Sequence, residues 1–140
     1  MMKFFVAVCL LFTLASAEYV VKTKENMLSY REECVKELGV SADLVEQYQK
    51  WQYPNDAKTQ CYLKCVFTKF GLFDVDSGFD VEKIHIQLSR GAADHDDELH
   101  GKIAECVDKN EQGSNACEWA WRGADCLLKS HLQLIKQSLA

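Results

Sequence analysis

The chain has 140 residues, a formal net charge of −5 at pH 7 and 48% hydrophobic side chains. That length suits one domain with one modest core. An acidic chain without a basic patch argues against nucleic acid and anionic membrane surfaces as partners.

The first seventeen residues read as a secretory signal peptide. Lys3 gives a basic start, residues 4–14 are an apolar run, and Ala15-Ser16-Ala17 is a small-x-small cleavage site. The run is too short to cross a membrane. A mature chain from Glu18 then forms a single domain over residues 18–140. Of the seven cysteines, Cys9 leaves with the signal peptide. Cys34, Cys61, Cys65, Cys106, Cys117 and Cys126 remain, an even set expected to form three disulfides in an oxidising compartment. A zinc site is disfavoured, because no two cysteines stand in a CxxC pair.

Apolar spacing is helical almost throughout. A first helix is expected over about residues 23–38, with Tyr30, Cys34 and Leu38 on one face and Gly39 as its stop. Ser41 can cap a short second helix carrying Leu44, Val45 and Tyr48. Pro54 in "WQYPND" breaks the pattern, and Asn55 or Asp56 caps a third helix that ends near Phe70. In that helix Leu63, Val66, Phe67 and Phe70 form one apolar stripe. At about 100° per residue, Cys61 and Cys65 lie nearly opposite it and should reach two different segments. Asp80 caps a fourth helix with Val81, Ile84 and Leu88 on one face and Gly91 at its end. Asp94 is expected to open a fifth, with Asp96, Asp97 and Glu98 in the first turn favouring its dipole. Leu99, Ile103, Cys106 and Val107 are its apolar positions.

A sixth, long helix starts near Ser114 or Asn115 and continues through "LLKSHLQLIKQSLA". Ala120, Trp121, Ala124, Leu127, Leu128, His131 and Ile135 share its inner face. Cys117 and Cys126 are nine residues apart and so point to opposite sides, which predicts a central helix clamped on both flanks. Each closed loop contributes roughly 3–4 kcal/mol on the chain-entropy estimate. A helical shell stapled three times can therefore tolerate an apolar cavity.

Candidates for chemistry are few. "GLFDVDSGFD" (residues 71–80) looks like the start of a calcium loop. Counting from Asp74, however, Gly78 falls at position five, Phe79 at six, and His85 at twelve, where a bidentate Glu is required. A helix stop at Gly71, a turn over residues 74–78 and a cap at Asp80 account for it better. His95 and His100 in "HDDELH" are five apart, so the i, i+4 pair of a zinc protease is missing. A solvated acidic helix start fits that segment. No nucleophile with its base and orienter is recognisable, and there is no glycine-rich phosphate loop. His131 is either packed by its ring with a wet tip or a polar anchor whose protonation near about pH 6 would disfavour an apolar ligand.

The cysteine spacing is C-x26-C-x3-C-x40-C-x10-C-x8-C. With the signal peptide and all-helical pattern, it resembles the six-cysteine insect pheromone and general odorant-binding family. "KCVFTKFGLFDVDSGFD" looks like the family's exit from its third helix. "ACEWAWRGADC", with aromatic Trp121 four after the fifth cysteine, looks like the start of its last. The resemblance covers residues 18–140. It implies an all-α fold of six helices around an apolar cavity, with pairing Cys34–Cys65, Cys61–Cys117 and Cys106–Cys126. It implies a secreted carrier of odorants, pheromones or fatty acids through sensillum lymph, haemolymph or a similar fluid. It implies no catalysis, cofactor or metal. A small hydrophobic ligand and a chemosensory receptor are the candidate partners, and a monomer or weak homodimer the expected state.

Shared helical faces and the resemblance together nominate Phe67, Phe70, Leu72, Phe73, Ile84, Leu88, Ile103, Trp121, Ala124, Leu128 and His131 as cavity lining. Some relatives use a longer C-terminal segment as a lid. The continuing helix after Cys126 makes that doubtful here. The alternative function is a stapled helical interaction module acting through its outer face, which would have a filled core.

Overall fold

The computed structural model describes residues 18–92 and 96–140. The segment read as a signal peptide, together with Asp94 and His95, lies outside the described residues.

Among the described residues, seven helices and one two-stranded hairpin follow in chain order. Helix α1 (Lys24–Leu38) starts at Thr23, which forms a capping box with Asn26, and ends at Gly39 in the left-handed region. Helix α2 (Ala42–Gln49) is capped by the Ser41 hydroxyl. Helix α3 (Ala57–Phe70) is capped by Asp56, whose carboxylate accepts from the Thr59 amide at 2.7 Å. Strands β1 (Phe73–Asp74) and β2 (Gly78–Phe79) pair antiparallel, Phe73 opposite Phe79. Helix α4 (Val81–Leu88) is capped by Asp80. Helix α5 (Asp97–Cys106) is capped by Asp96, two residues later than the expected opening at Asp94. Helix α6 (Ala116–Ser130) is capped by Asn115, and α7 (Leu132–Ser138) closes the chain.

The architecture is the expected stapled helical domain. Helix α3 packs most extensively on α6 and next on α1. Bridges Cys34–Cys65 and Cys61–Cys117 tie α3 to α1 and α6, and Cys106–Cys126 ties α5 to α6. The pairing is the one the resemblance implies. Helix α6 is accordingly central, touching α3, α5, α7 and β2.

Two local features differ from expectation. The anticipated turn after α3 carries a short hairpin. Its loop is closed by the Asp74 carboxylate, which accepts from the Asp76 and Ser77 amides at 2.8 and 3.3 Å, so the turn employs the acid that looked like a calcium ligand. The last helix also does not continue. It breaks at His131 (φ −132°, ψ 27°), which separates α6 from α7 and makes seven helices of six. The Ser130 hydroxyl donates to the Cys126 carbonyl at 2.6 Å and lies 2.6 Å from His131 Nδ1. Side-chain bonding of this kind competes with the helical ladder and bends it.

Candidate functional site

The functional candidate is an apolar cavity between α1, α3, α4, α6 and α7. It offers about 70 Å³ to the centre of a water-sized sphere, several times the roughly 10–15 Å³ that one water needs on that measure. Its main wall is the α3 stripe of Leu63, Val66, Phe67 and Phe70, with Tyr62 beside it. Periodicity made that stripe apolar, and the bridges on the opposite face press it inward. Gly71 (φ 79°) ends α3 in the left-handed region, and the chain turns back so that the Leu72 amide donates to the Phe67 carbonyl at 3.0 Å. Leu72 thereby joins the wall it follows.

Helix α4 contributes Ile84, Gln87 and Leu88, and α6 contributes Leu127 and Leu128. The C-terminal segment closes one side with Ile135, Ser138 and Leu139. It is fixed there by a bond from the Lys24 amide to the Leu139 carbonyl at 2.8 Å and from the Arg90 guanidinium to the Ala140 carbonyl at 3.2 Å. Expectation gave this segment no part in closing the pocket. The break at His131 is what lets it fold across. Met27 and Arg31 of α1, with Trp51 and Tyr53 of the loop after α2, complete the lining.

Polar groups occupy two places on the wall. Gln87 is 3% exposed and saturated. Its oxygen accepts from the Tyr19 hydroxyl at 2.9 Å and the Lys22 amide at 2.8 Å, while its nitrogen donates to the Lys22 carbonyl at 3.0 Å and Ser138 Oγ at 3.4 Å. Elsewhere, Arg31 Nη2 donates to the Tyr53 hydroxyl at 3.0 Å, and the guanidinium lies 4.6 Å over the Trp51 ring. Tyr62 stacks on Tyr48 with centroids 4.1 Å apart, and Tyr48 pairs with Thr59 at 2.7 Å. Burial pushes the Tyr53 and Tyr62 hydroxyls above their ordinary pKa, against the opposing pull of Arg31.

Of the nominated residues, Phe67, Phe70, Leu72, Ile84, Leu88 and Leu128 face the cavity, and Phe73, Ile103, Trp121, Ala124 and His131 do not. Phe73 instead packs edge-on against Phe79 and Trp119, at 4.9 and 5.4 Å. Ile103 is completely buried on α5 and Ala124 on α6. His131 sits at the helix break. Trp121 is partly exposed, because α6 is turned by about one residue from the expected phase. Its buried side is Trp119, Ala120, Gly123, Ala124 and Leu127. The cause is Gly123: a Cβ there would run into the Phe79 ring, so only glycine lets β2 approach this closely. Hydrophobic periodicity cannot register a glycine as a contact point. It also read "WQYPND" as a breaker and so missed Trp51 and Tyr53.

Among the described residues no group of three metal-ligating side chains converges, and no helix is long and apolar enough to cross a membrane.

Comparison with known proteins gives this geometry a family. General odorant-binding protein 99a of Drosophila melanogaster is 69% identical over 139 residues, covering 99% of this chain and 98% of that one. Odorant-binding protein 22 of Aedes aegypti is 45% identical over 138 residues, covering 99% and 98%. The crystal structure of an Anopheles gambiae odorant-binding protein 22a with bound odorant cyclohexanone has a TM-score of 0.65 at 23% identity, covering 79% of this chain and 96% of that one, and so shares the fold. Residues 16–130 match the PBP/GOBP family. The disulfide-stapled helical chain with its apolar cavity belongs to that family.

Proposed function

We propose that this protein is a secreted carrier that takes small hydrophobic molecules into the cavity and moves them through extracellular fluid. The observation that carries the proposal is the cavity itself, walled by α3, Leu72, α4, α6 and α7. A domain of this size gains stability by filling its core. Three disulfides meet part of that need and leave the void available for a ligand. Uptake is driven by removing the ligand's apolar surface from water, at roughly 25 cal/mol per Å². The mosquito relative solved with cyclohexanone supports ligands of that size and polarity. Odorants, pheromones and fatty acids are the candidate classes.

The segment 1–17 acts in this proposal as the signal peptide, and residues 18–140 as the working domain. Sensillum lymph and haemolymph are both compatible fluids. A chemosensory receptor is the added partner in the first, and the carrier acts as a monomer or weak homodimer without catalysis. The alternative, an interaction module acting through its outer face, required a filled core, and the cavity speaks against it.

The test is titration of delipidated, oxidised protein with a fluorescent apolar probe, competed by volatile alcohols, ketones and fatty acids. Saturable binding with competition is expected. Absence of saturable binding by well-folded protein overturns the proposal.

A further inference from the structure

We propose that Arg31, Tyr53 and Tyr62 form a recognition site for a carboxylate, so that the preferred ligand is an apolar chain ending in an anionic oxygen head. This rests on the carrier reading and specifies it.

Three observations converge. Arg31 lines the cavity, and no carboxylate pairs with it among the described residues. A guanidinium has five N–H donors, and the one side-chain bond made here is to Tyr53. The Tyr53 oxygen accepts that bond, which leaves its own proton to be donated. Tyr62 is 1% exposed and lines the cavity. Its hydroxyl has no hydrogen-bond partner among the described residues, and because no buried side-chain oxygen there is left unpaired, that oxygen is not itself fully buried and stays open to a ligand. The site therefore presents a cation and two hydroxyl donors to an apolar void and offers no carboxylate acceptor of its own. An ionised carboxylate is the complementary group: it only accepts, can take several bonds at once, and bonds most strongly to a guanidinium.

The surroundings favour the same head. Trp51 is held at φ 59°, a conformation bulky residues seldom adopt, and its indole lies under both the Arg31 guanidinium and the Lys136 ammonium, the latter at 5.5 Å. Of these two cations Arg31 lines the cavity, while Lys136 is exposed beside the same ring. The other polar group of the wall, Gln87, is saturated by protein partners and offers a head nothing. The raised pKa of both tyrosines keeps them protonated at neutral pH, as donors to an anion must be. Arg31 is only partly buried, so a charged head bound there is not wholly stripped of water.

The experiment compares octanoic acid with methyl octanoate as competitors of bound phenylnaphthylamine at neutral pH, in wild type, Arg31→Met and Tyr62→Phe. The ratio of the two competition constants is the readout, because it cancels any general change in the cavity. Wild type should favour the acid by about tenfold, the scale of a charge-assisted bond. The ratio should fall to about one in Arg31→Met and several-fold in Tyr62→Phe. Circular dichroism verifies the fold, and Tyr62→Phe decides if Arg31→Met does not fold. Equal competition by acid and ester in wild type overturns the head-group site and leaves the carrier standing. A preference for acid that survives in the folded variants overturns the assignment to these residues. Failure of the probe to bind overturns the carrier and this site together.

Discussion

Gly78→Ala should be among the most damaging single-methyl changes in this protein. Gly78 has φ 82°, where an ordinary L residue costs roughly 1–2 kcal/mol. The added Cβ would also collide with the Trp119 indole, its Cε2 and Cη2 atoms only 3.0 Å away and Cζ2 closer still. Trp119 cannot easily retreat. It is 7% exposed, its Nε1 donates to the Asp108 carbonyl at 2.9 Å, and Phe73 packs edge-on against it. Overfilling a packed site of this kind costs about 1–3 kcal/mol, so the total is about 2–5 kcal/mol. Gly113→Ala is the matched control. Its φ is 67° and a Cβ there meets nothing within 4 Å, so only the backbone cost of about 1–2 kcal/mol applies. Guanidinium unfolding with the disulfides intact, followed by tryptophan fluorescence, measures both. Probe affinity should fall with Gly78→Ala as well, because Phe79 packs at 5.4 Å on Phe67, which faces the cavity. Equal destabilisation by the two substitutions would refute the tight packing of the hairpin on Trp119.

Leu72→Ala should weaken probe binding measurably and cost about 2–4 kcal/mol of stability, while Asp76→Ala, on an exposed turn, should leave the probe affinity within error. The reverse order would mean the cavity wall is misplaced. Replacing both cysteines of Cys61–Cys117, 56 residues apart, should cost about 4 kcal/mol in urea unfolding, and replacing the pair Cys106–Cys126, 20 apart, about 3 kcal/mol. A reversed order would show that native packing rather than chain entropy sets the cost. The Arg122 hydrogen bond holds the Asp108 carboxyl below its ordinary value of 3.8. A lowered carboxyl pKa adds stability above the ordinary value and loses it as pH falls through the lowered one. Asp108→Asn should therefore flatten the fall in thermal stability below about pH 4, and an unchanged acid limb would contradict the pairing.

Local chemistry was well written in the chain. Asp80 caps the helix it was expected to cap, and Asp56 and Asn115 prove to be the caps within the expected pairs Asn55 or Asp56 and Ser114 or Asn115, because a short polar side chain before an apolar repeat has few other uses. The α3 stripe was legible for a similar reason: opposed apolar and cysteine faces on one helix leave little freedom in how it packs. The recognition site of Arg31, Tyr53 and Tyr62 was not legible. Its members come from α1, a loop and α3, and an arginine or tyrosine on a helix surface has the same local pattern whether it meets solvent or a void.

The sequence by itself determined the class of the molecule: three staples, helices with defined starts, and one apolar face on each. Only the tertiary structure decided how those faces meet. Periodicity states which residues share a side, but leaves the rotation of that side uncertain by about one residue, or about 100°. For α6 the rotation was set by Gly123 against Phe79, a contact that depends on an absent side chain. The break at His131, which turns the C-terminal segment across the cavity, likewise rests on bonds within the turn of Cys126, Ser130 and His131. No hydrophobic pattern reports them.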